Sequence, residues 1–337
     1  MSPTFISSTE TTSFSLTIGT TPVSYTHLDV YKRQALYCTL LIVGPLLGSL
    51  ITEPAAMTVT ALLLKEAFFD RGIGRRFSYA TLGLLFVNIS IGGTLTHFAA
   101  PPVLMVARPW GWDTPFMLLH FGDRAAVSIF LCTVVTAVLF RGELRALDSR
   151  TPESEDRKAT AVPWWMSASH LFFIALTVLH SHHMSFFIPL FLLFLGWTAV
   201  SKEYQDELRI RESLLVAFFL GGLVTLGQLQ SWWLQPTLIG MSDSLLFWGA
   251  IALTAVTDNA ALTYLGTLVP TLSDGAKLAL VGGAVTGGGL TVIANAPNPA
   301  GYSILASNFG EDGISPLWLF VSALPYTLVA AAAMHFI

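Results

Sequence analysis

Apolar runs alternate with short polar segments along most of the chain. Seven such runs lie at 77–91, 125–140, 171–180, 186–200, 214–227, 276–296 and 317–334. A helix of about 20 predominantly apolar residues is long enough to cross the hydrocarbon core of a bilayer. The pattern therefore predicts an all-α polytopic membrane protein.

The composition and the distribution of charge support this prediction and suggest an orientation. Charged residues make up 11% of the chain, whereas soluble domains carry about 25%. Twelve of the seventeen Lys and Arg residues lie in three loops, at 65–76, 141–163 and 201–211. The positive-inside bias places these loops in the cytoplasm. The loops at 182–185 and 231–242 have no Lys or Arg, so we expect them outside.

Two segments do not fit a single helical span. Residues 36–64 would extend about 44 Å as one helix, and Pro54 interrupts them. A helical hairpin that enters the membrane and returns fits better. Residues 77–107 contain the string GGTLTHFAAPP, which favours a broken helix. Irregular backbone at membrane depth is tolerated only inside protein or along a wet cavity.

Both unusual segments recur later in the chain. TEPAAMT (52–58) matches TDNAALT (257–263) at four of seven positions, and in this register Glu53 aligns with Asp258. GGTLTHFAAPP (92–102) matches GGGLTVIANAP (287–297) at six of eleven positions. The loop charges predict that the first hairpin opens to the cytoplasm and the second opens to the outside. Inverted repeats with paired broken segments are typical of secondary transporters.

These observations predict an organisation in two repeats. The first is partial and covers 35–140, with a hairpin at 36–64, a broken helix at 77–107 and a span at 115–140. A cytoplasmic linker follows at 141–163. The second repeat covers 164–337, with spans at 164–181, 186–200 and 212–230, a hairpin at 243–270, a broken helix at 276–308 and a span at 315–336.

The first 34 residues differ from the rest of the chain. Residues 1–22 are rich in Ser and Thr, and VSYTHLDVYKRQ (23–34) resembles translated adaptor sequence. We therefore expect residues 1–34 to be a non-native or disordered tail. Three spans precede the second hairpin and none precedes the first, so we expect about three helices to have been lost upstream.

The repeated motifs resemble a known family. The strings TEPAAMTVTALLL, GGTLTHFAAPPVLMVA, TDNAALTYLG and GGGLTVIANAPNPAGYSIL are similar to the putative Na+/H+ antiporter family of the ion transporter superfamily. The resemblance covers roughly 35–337. It implies exchange of a monovalent cation, with Na+ the first candidate, for protons. It also implies a dimeric scaffold and a transport domain that moves as an elevator.

The acids at the two tips, Glu53 and Asp258, are the leading candidates for the cation and proton site. A carboxylate in a low-dielectric pocket gains proton affinity, so a proton and a cation can compete for it. Neither tip contains a basic residue that would indicate a structural ion pair. Further oxygen ligands are expected from Thr52, Thr257, Asn259, Thr96, Thr291, Asn295 and Asn298. The glycines of the predicted breaks are Gly92, Gly93, Gly287 and Gly288, with close helix packing as the alternative role.

The expected partners are the lipid bilayer, a monovalent cation and protons, with a homodimer as the intact assembly and no nucleic acid. We expect no cofactor, no metal beyond the transported cation, and a location in a prokaryotic plasma membrane. The alternative function is a sodium-coupled symporter of a small organic or inorganic anion, which would favour neutral tips. An intramembrane enzyme would need a nucleophile–base pair or a metal cluster at one depth, and no such motif is recognisable in the sequence.

Overall fold

The computed structural model describes residues 26–147, 162–180, 183–205, 208 and 210–336, and the regular structure in these ranges is helical. Five helical stretches are long and apolar enough to cross a membrane: Arg33–Ile51, Arg75–Leu95, Thr114–Leu139, Ser213–Ile239 and Pro316–His335. The predicted all-helical class is confirmed for the described part of the chain.

The α-helices of the first half are α1 (Thr26–Ile51), α2 (Glu53–Ala67), α3 (Arg75–Gly92), α4 (Pro101–Trp110), α5 (Thr114–Met117), α6 (Asp123–Leu139) and α7 (Arg141–Ala146). Those of the second half are α8 (Trp164–Leu179), α9 (Met184–Val200), α10 (Ile210–Gly227), α11 (Ser231–Ile239), α12 (Asp243–Thr254), α13 (Asn259–Thr267), α14 (Asp274–Gly287), α15 (Asn298–Leu305) and α16 (Pro316–Phe336).

Helices α1 and α2 form a tight antiparallel hairpin. They are joined at Thr52, which adopts a positive φ of 78°. Glycines let the two backbones approach, since a Cβ on Gly48 would lie 3.2 Å from that of Ala56. Pro54 lies in the first turn of α2, where its missing N–H removes no helical hydrogen bond.

Two helices end at glycines in the interior of the bundle. α3 ends at Gly92, a 3₁₀ turn follows, and the chain stays irregular up to Ala100. α14 ends at Gly287, and the chain is irregular up to Pro297. α4 begins with prolines, and prolines flank the first residue of α15. A proline lacks the N–H that would continue a preceding helix, so these residues favour a new helix start.

Helix α3 is the centre of the packed bundle. All of its residues from Phe77 onward are buried except Ala80, and it contacts α1, α6, α14 and α16. The buried Asn88 crosslinks three helices, since its side-chain amide donates to the carbonyl of Leu41 (2.9 Å) and the hydroxyl of Thr133 (3.0 Å). Buried polar groups need such partners to offset the loss of water.

One end of the bundle, called the Arg75 end, carries the loop between α2 and α3. Asp70 in this loop pairs with Lys65 (2.6 Å) and accepts a hydrogen bond from Asn308 (2.9 Å). The loop after α15 therefore lies at the same end as the loop after α2.

The opposite end, called the Trp110 end, carries the loop between α13 and α14. The ammonium group of Lys277 lies 5.9 Å from the ring centroid of Trp110, and Gly266 of α13 also faces that ring. α16 connects the two ends. It begins after Ser315, whose N–H bonds to Tyr79 (2.9 Å), and reaches His335, which stacks on Phe247.

Some boundaries differ from those predicted. The prediction of a loop at 231–242 is wrong, because α11 continues almost directly from α10 and is helical from Ser231 to Ile239. α1 begins at Thr26, so the predicted tail boundary at residue 35 falls inside a helix. Residues 1–25 and 148–161 lie outside the described residues, and the division into two repeats stays a prediction.

Candidate functional site

The two tip acids occupy different positions in their helices. Glu53 is the first residue of α2 and is fully buried. Asp258 is the residue before α13 and is half-buried. The first residue of α13 is Asn259, which is fully buried. By position in the helix, the counterpart of Glu53 is therefore Asn259 and not the acid beside it.

Backbone hydrogen bonds support this shift of one residue. The N–H of Glu53 donates to the carbonyl of Ala99 (3.3 Å), and the N–H of Asn259 donates to that of Ala294 (3.1 Å). Ala99 and Ala294 are matched positions of the two glycine-rich strings. Each glycine-rich string therefore accepts a bond from the first residue of the helix, α2 or α13, that follows a tip.

Two predicted threonines, at matched positions of the two glycine-rich strings, also make matched hydrogen bonds. Thr96 donates its hydroxyl to the carbonyl of Ser49 (2.6 Å), and Thr291 donates to that of Ala255 (2.9 Å). Ser49 lies four residues before Glu53, and Ala255 lies four residues before Asn259. Both threonines hold a glycine-rich string against the chain just before a tip, so their hydroxyl hydrogens are used structurally.

The predicted glycines provide room for the buried tip residues. A Cβ on Gly93 would lie 2.5 Å from Oε1 of Glu53, and one on Gly288 would lie 2.7 Å from Nδ2 of Asn259. Gly92 and Gly287 allow close approach of another backbone segment. A Cβ on Gly92 would lie 2.5 Å from the carbonyl oxygen of Pro45, and one on Gly287 would lie 2.7 Å from that of Ile251. The glycines thus combine both predicted roles, close packing and the ending of a helix.

Asp258 acts as a helix cap. Its Oδ1 accepts hydrogen bonds from the N–H groups of Ala260 (2.8 Å) and Ala261 (3.2 Å). An aspartate at this position satisfies N–H groups that have no partner within the helix and favours the helix dipole. Thr257 is exposed, and its hydroxyl donates to the carbonyl of Leu253 (2.9 Å), one helical turn earlier in the chain.

Glu53 lies deeper and is incompletely bonded. Its Oε2 accepts a hydrogen bond from Nδ2 of Asn295 (3.1 Å), which joins the first hairpin to the second break. Its Oε1 is buried and has no hydrogen-bond partner among the described residues. No Lys or Arg of the described ranges forms an ion pair with it.

Three buried asparagines bring further oxygens to this region. Oδ1 of Asn259, Asn295 and Asn298 has no hydrogen-bond partner within the described structure. Asn298 uses its amide N–H groups to hold the second break, donating to the carbonyls of Gly288 (2.7 Å) and Thr291 (2.8 Å). Buried acceptors without donors are uncommon. Carboxylate and amide oxygens are suitable ligands for a hard cation.

The structure thus separates the predicted ligands into two groups. Glu53, Asn259, Asn295 and Asn298 are buried around the breaks, and Thr96 and Thr291 brace the same breaks. Thr52 and Thr257 are exposed and Asp258 caps its helix.

Two serines at the site were not predicted. Ser49 donates to the carbonyl of Gly92 (2.6 Å) and accepts from the N–H of Leu95 (2.9 Å). Ser90 donates to the carbonyl of Val285 (2.7 Å) and lies beside Gly288. Each is a polar residue in an otherwise apolar stretch of its helix, and that contrast was the available signal.

Comparison with known proteins identifies the family. Residues 19–337 match the family described as putative Na+/H+ antiporters, and the chain belongs to this family. No curated protein and no solved structure matches it. The chain is therefore an integral membrane protein of a transporter family, with a cation and protons as its substrates.

Proposed function

We propose that this member of the putative Na+/H+ antiporter family exchanges Na+ for protons at Glu53. The observation that carries the proposal is a fully buried carboxylate with one unbonded oxygen near buried amide oxygens. Asn295 touches Glu53 directly, and Asn259 and Asn298 both lie against Gly288 in the second break. Together they offer oxygen ligands from both halves of the chain.

Exchange follows from the charge of this site. A bare carboxylate in a low-dielectric interior costs several kcal/mol. Either Na+ or a proton on Glu53 removes the net charge, and the space around one carboxylate favours one occupant at a time. The Na+-bound form and the protonated form are neutral, so each can turn the site from one side of the membrane to the other. The form with a bare carboxylate is charged, and its movement through the membrane is energetically unfavourable. This penalty couples the movement of Na+ to the opposite movement of a proton.

Asp258 has a supporting role in this proposal. Its Oδ1 is already shared by two backbone N–H groups, and its side chain is half-buried. It holds the start of α13, and thereby the buried Asn259, in place. Its negative charge also attracts cations toward the second tip.

We further propose that the chain contains two inverted repeats with re-entrant hairpins. The matched bonds at Ala99 and Ala294 support this, as do the packing of α2 on α15 and of α13 on α4. The loop after α2 lies at the Arg75 end, and the loop after α13 lies at the Trp110 end. Hairpins that begin from opposite ends and meet near their tips are expected of inverted repeats.

The elevator mechanism and the homodimer belong to the same proposal. α10 meets the site-bearing bundle through a small contact, in which Tyr264 of α13 bonds to the carbonyl of Val224 (2.8 Å). α8–α11 expose most of their apolar side chains. We assign α8–α11 to a scaffold that a second copy covers, in a prokaryotic plasma membrane, and α1–α4 with α12–α15 to the moving domain.

The test is transport by the purified protein in proteoliposomes with an imposed pH gradient. Addition of Na+ should collapse the gradient for the unmodified protein, and Li+ and K+ should be compared in separate runs. Glu53→Gln keeps the shape and removes the charge, so Na+-dependent proton movement should fall to background. Glu66→Gln is the matched control, because Glu66 is an exposed glutamate near the end of the same helix.

Exchange by Glu53→Gln at the unmodified rate would refute the assignment of the site. Na+ uptake that requires a small anion and leaves the pH gradient intact would establish the symporter alternative. Reconstituted protein levels and thermal stability should be matched between variants, so that a loss of transport is not a loss of fold.

A further inference from the structure

A large cavity opens on the side of the bundle, away from the candidate site. It lies between α3, α6 and α16 and has a volume of about 780 Å³. Its walls are apolar and include Leu131, Val135 and Leu139 of α6 and Val321 and Val329 of α16. Four of these side chains are exposed, so the groove faces outward. We call it the α6–α16 groove.

The floor of the groove is made of small or fixed side chains. Ala80, Cys132 and Ser322 leave the space open. Tyr326 is held in place, since its phenol oxygen accepts a bond from the hydroxyl of Thr136 (3.0 Å). Pro325 has no N–H for the helical bond within α16. The shape of the groove is therefore fixed by the packing of α3, α6 and α16.

One end of the groove is basic. Arg75 and Arg76 line it there, and both are exposed. The guanidinium carbon of Arg75 lies 5.9 Å from the ring centroid of Tyr79, which orients this side chain toward the groove. Neither arginine forms an ion pair within the described ranges of the chain. Two positive charges without an ion-pair partner in the described ranges, at the mouth of an apolar groove, favour the binding of an amphipathic anion.

The length of the groove fits one leaflet of a bilayer. Its lining on α16 runs from Trp318, near the Arg75 end, to Val329. Eleven residues of helix rise about 16 Å, and half of the hydrocarbon core is about 15 Å. Trp318 lies beside the basic end, where tryptophan is favoured at a membrane interface. The basic end is also the end that the loop charges assign to the cytoplasm, where anionic lipids are enriched.

We propose that the α6–α16 groove is a binding site for an anionic phospholipid. The phosphate binds at Arg75 and Arg76, and one acyl chain lies along the apolar wall toward the middle of the membrane. Because the site is separate from Glu53, this proposal does not depend on the proposed exchange.

The test is native mass spectrometry of the delipidated protein in detergent. Phosphatidylglycerol and phosphatidylcholine with identical acyl chains are titrated in parallel, and the lipid-bound fractions are compared. The unmodified protein should bind phosphatidylglycerol roughly thirtyfold more tightly, because its headgroup has a net negative charge that two basic groups attract, whereas choline balances the phosphate of phosphatidylcholine. Arg75→Gln with Arg76→Gln should remove this preference. Val135→Trp, which fills the groove, should weaken the binding of both lipids.

The matched control is Arg141→Gln with Arg145→Gln. These arginines are exposed and lie in the same basic region but do not line the groove. The proposal is overturned if the control removes the preference as fully as the groove variant does, or if the unmodified protein does not distinguish the lipids. It is also overturned if Val135→Trp leaves lipid binding intact but converts a dimer to a monomer, since a second copy would then occupy the groove.

Discussion

Asn295 donates a hydrogen bond to the carboxylate of Glu53 at 3.1 Å, although 242 residues separate the two in sequence. Glu53 begins the second helix of the first hairpin, and Asn295 lies in the second break. The bond therefore joins the two halves of the chain at the most buried carboxylate of the site.

Asn295→Ala removes both the donor to Glu53 and a buried amide oxygen. Hydrogen bonds to charged groups contribute about 1.5–3 kcal/mol, so we expect the apparent Na+ affinity to weaken by roughly tenfold or more. The measurement is the Na+ dependence of pH-gradient collapse. Asn308→Ala is the control, because Asn308 makes a similar bond to Asp70 (2.9 Å) at the surface. Equal affinities for the two variants would contradict the ligand role of Asn295.

Asp258→Asn should retain most of the exchange activity. Asparagine caps a helix about as well as aspartate, whereas alanine at a cap costs about 1 kcal/mol. We therefore expect Asp258→Ala to lower thermal stability and Asp258→Asn to leave it nearly unchanged. Transport and melting temperature should be measured on both variants. If Asp258→Asn is as inactive as Glu53→Gln, then Asp258 is itself a carrier of charge and the supporting role is wrong.

Thr52→Gly should stabilise the protein slightly or leave its stability unchanged. Thr52 has φ 78° and ψ 151°, a region in which non-glycine residues are strained by about 1–3 kcal/mol. Glycine relieves this strain at an entropic cost of roughly 0.5–1 kcal/mol. Thr257→Gly is the comparison, because Thr257 has no positive φ and should lose stability. Thermal unfolding of both variants provides the check, and a clear loss of stability in Thr52→Gly would contradict the strain argument.

Gly93→Ala should abolish or strongly reduce transport. The added Cβ would lie 2.5 Å from Oε1 of Glu53 and would displace the carboxylate. Gly222→Ala is a suitable control, because a Cβ there would meet no atom of the described residues within 4 Å. That change should preserve transport and favour helix α10 slightly. Unmodified Na+ affinity and rate in Gly93→Ala would show that the space beside Glu53 is not needed.

Cysteines introduced at Glu66 and Thr271 should label from opposite sides of the membrane. Both residues are exposed, one at the Arg75 end and one in the loop of the Trp110 end. The native Cys38 and Cys132 should first be replaced by serine. The assay uses an impermeant maleimide on intact and on inverted vesicles. Labelling of both positions from one side would disprove the inverted arrangement of the hairpins that we propose.

The helical class, several of the apolar helices and the positions of the two glycine-rich irregular stretches could be read from the sequence alone. They depend on local properties, because apolar runs select membrane helices and glycine or proline interrupts them. The residues around Glu53 were also recognisable, since an acid or an amide is conspicuous in an apolar segment. By contrast, the loop expected at 231–242 is helix over Ser231–Ile239, because the absence of basic residues indicates only the side of the membrane.

The tertiary structure alone decided which residues correspond between the two halves. Sequence identity aligned Glu53 with Asp258, but the helix starts and the bonds to Ala99 and Ala294 pair Glu53 with Asn259. A shift of one residue rotates a side chain by about 100° around a helix. It is therefore enough to bury Glu53 and Asn259 while Asp258 becomes a half-buried cap. The sequence shows that two acids are present, and only the packing of the breaks decides which of them faces the interior.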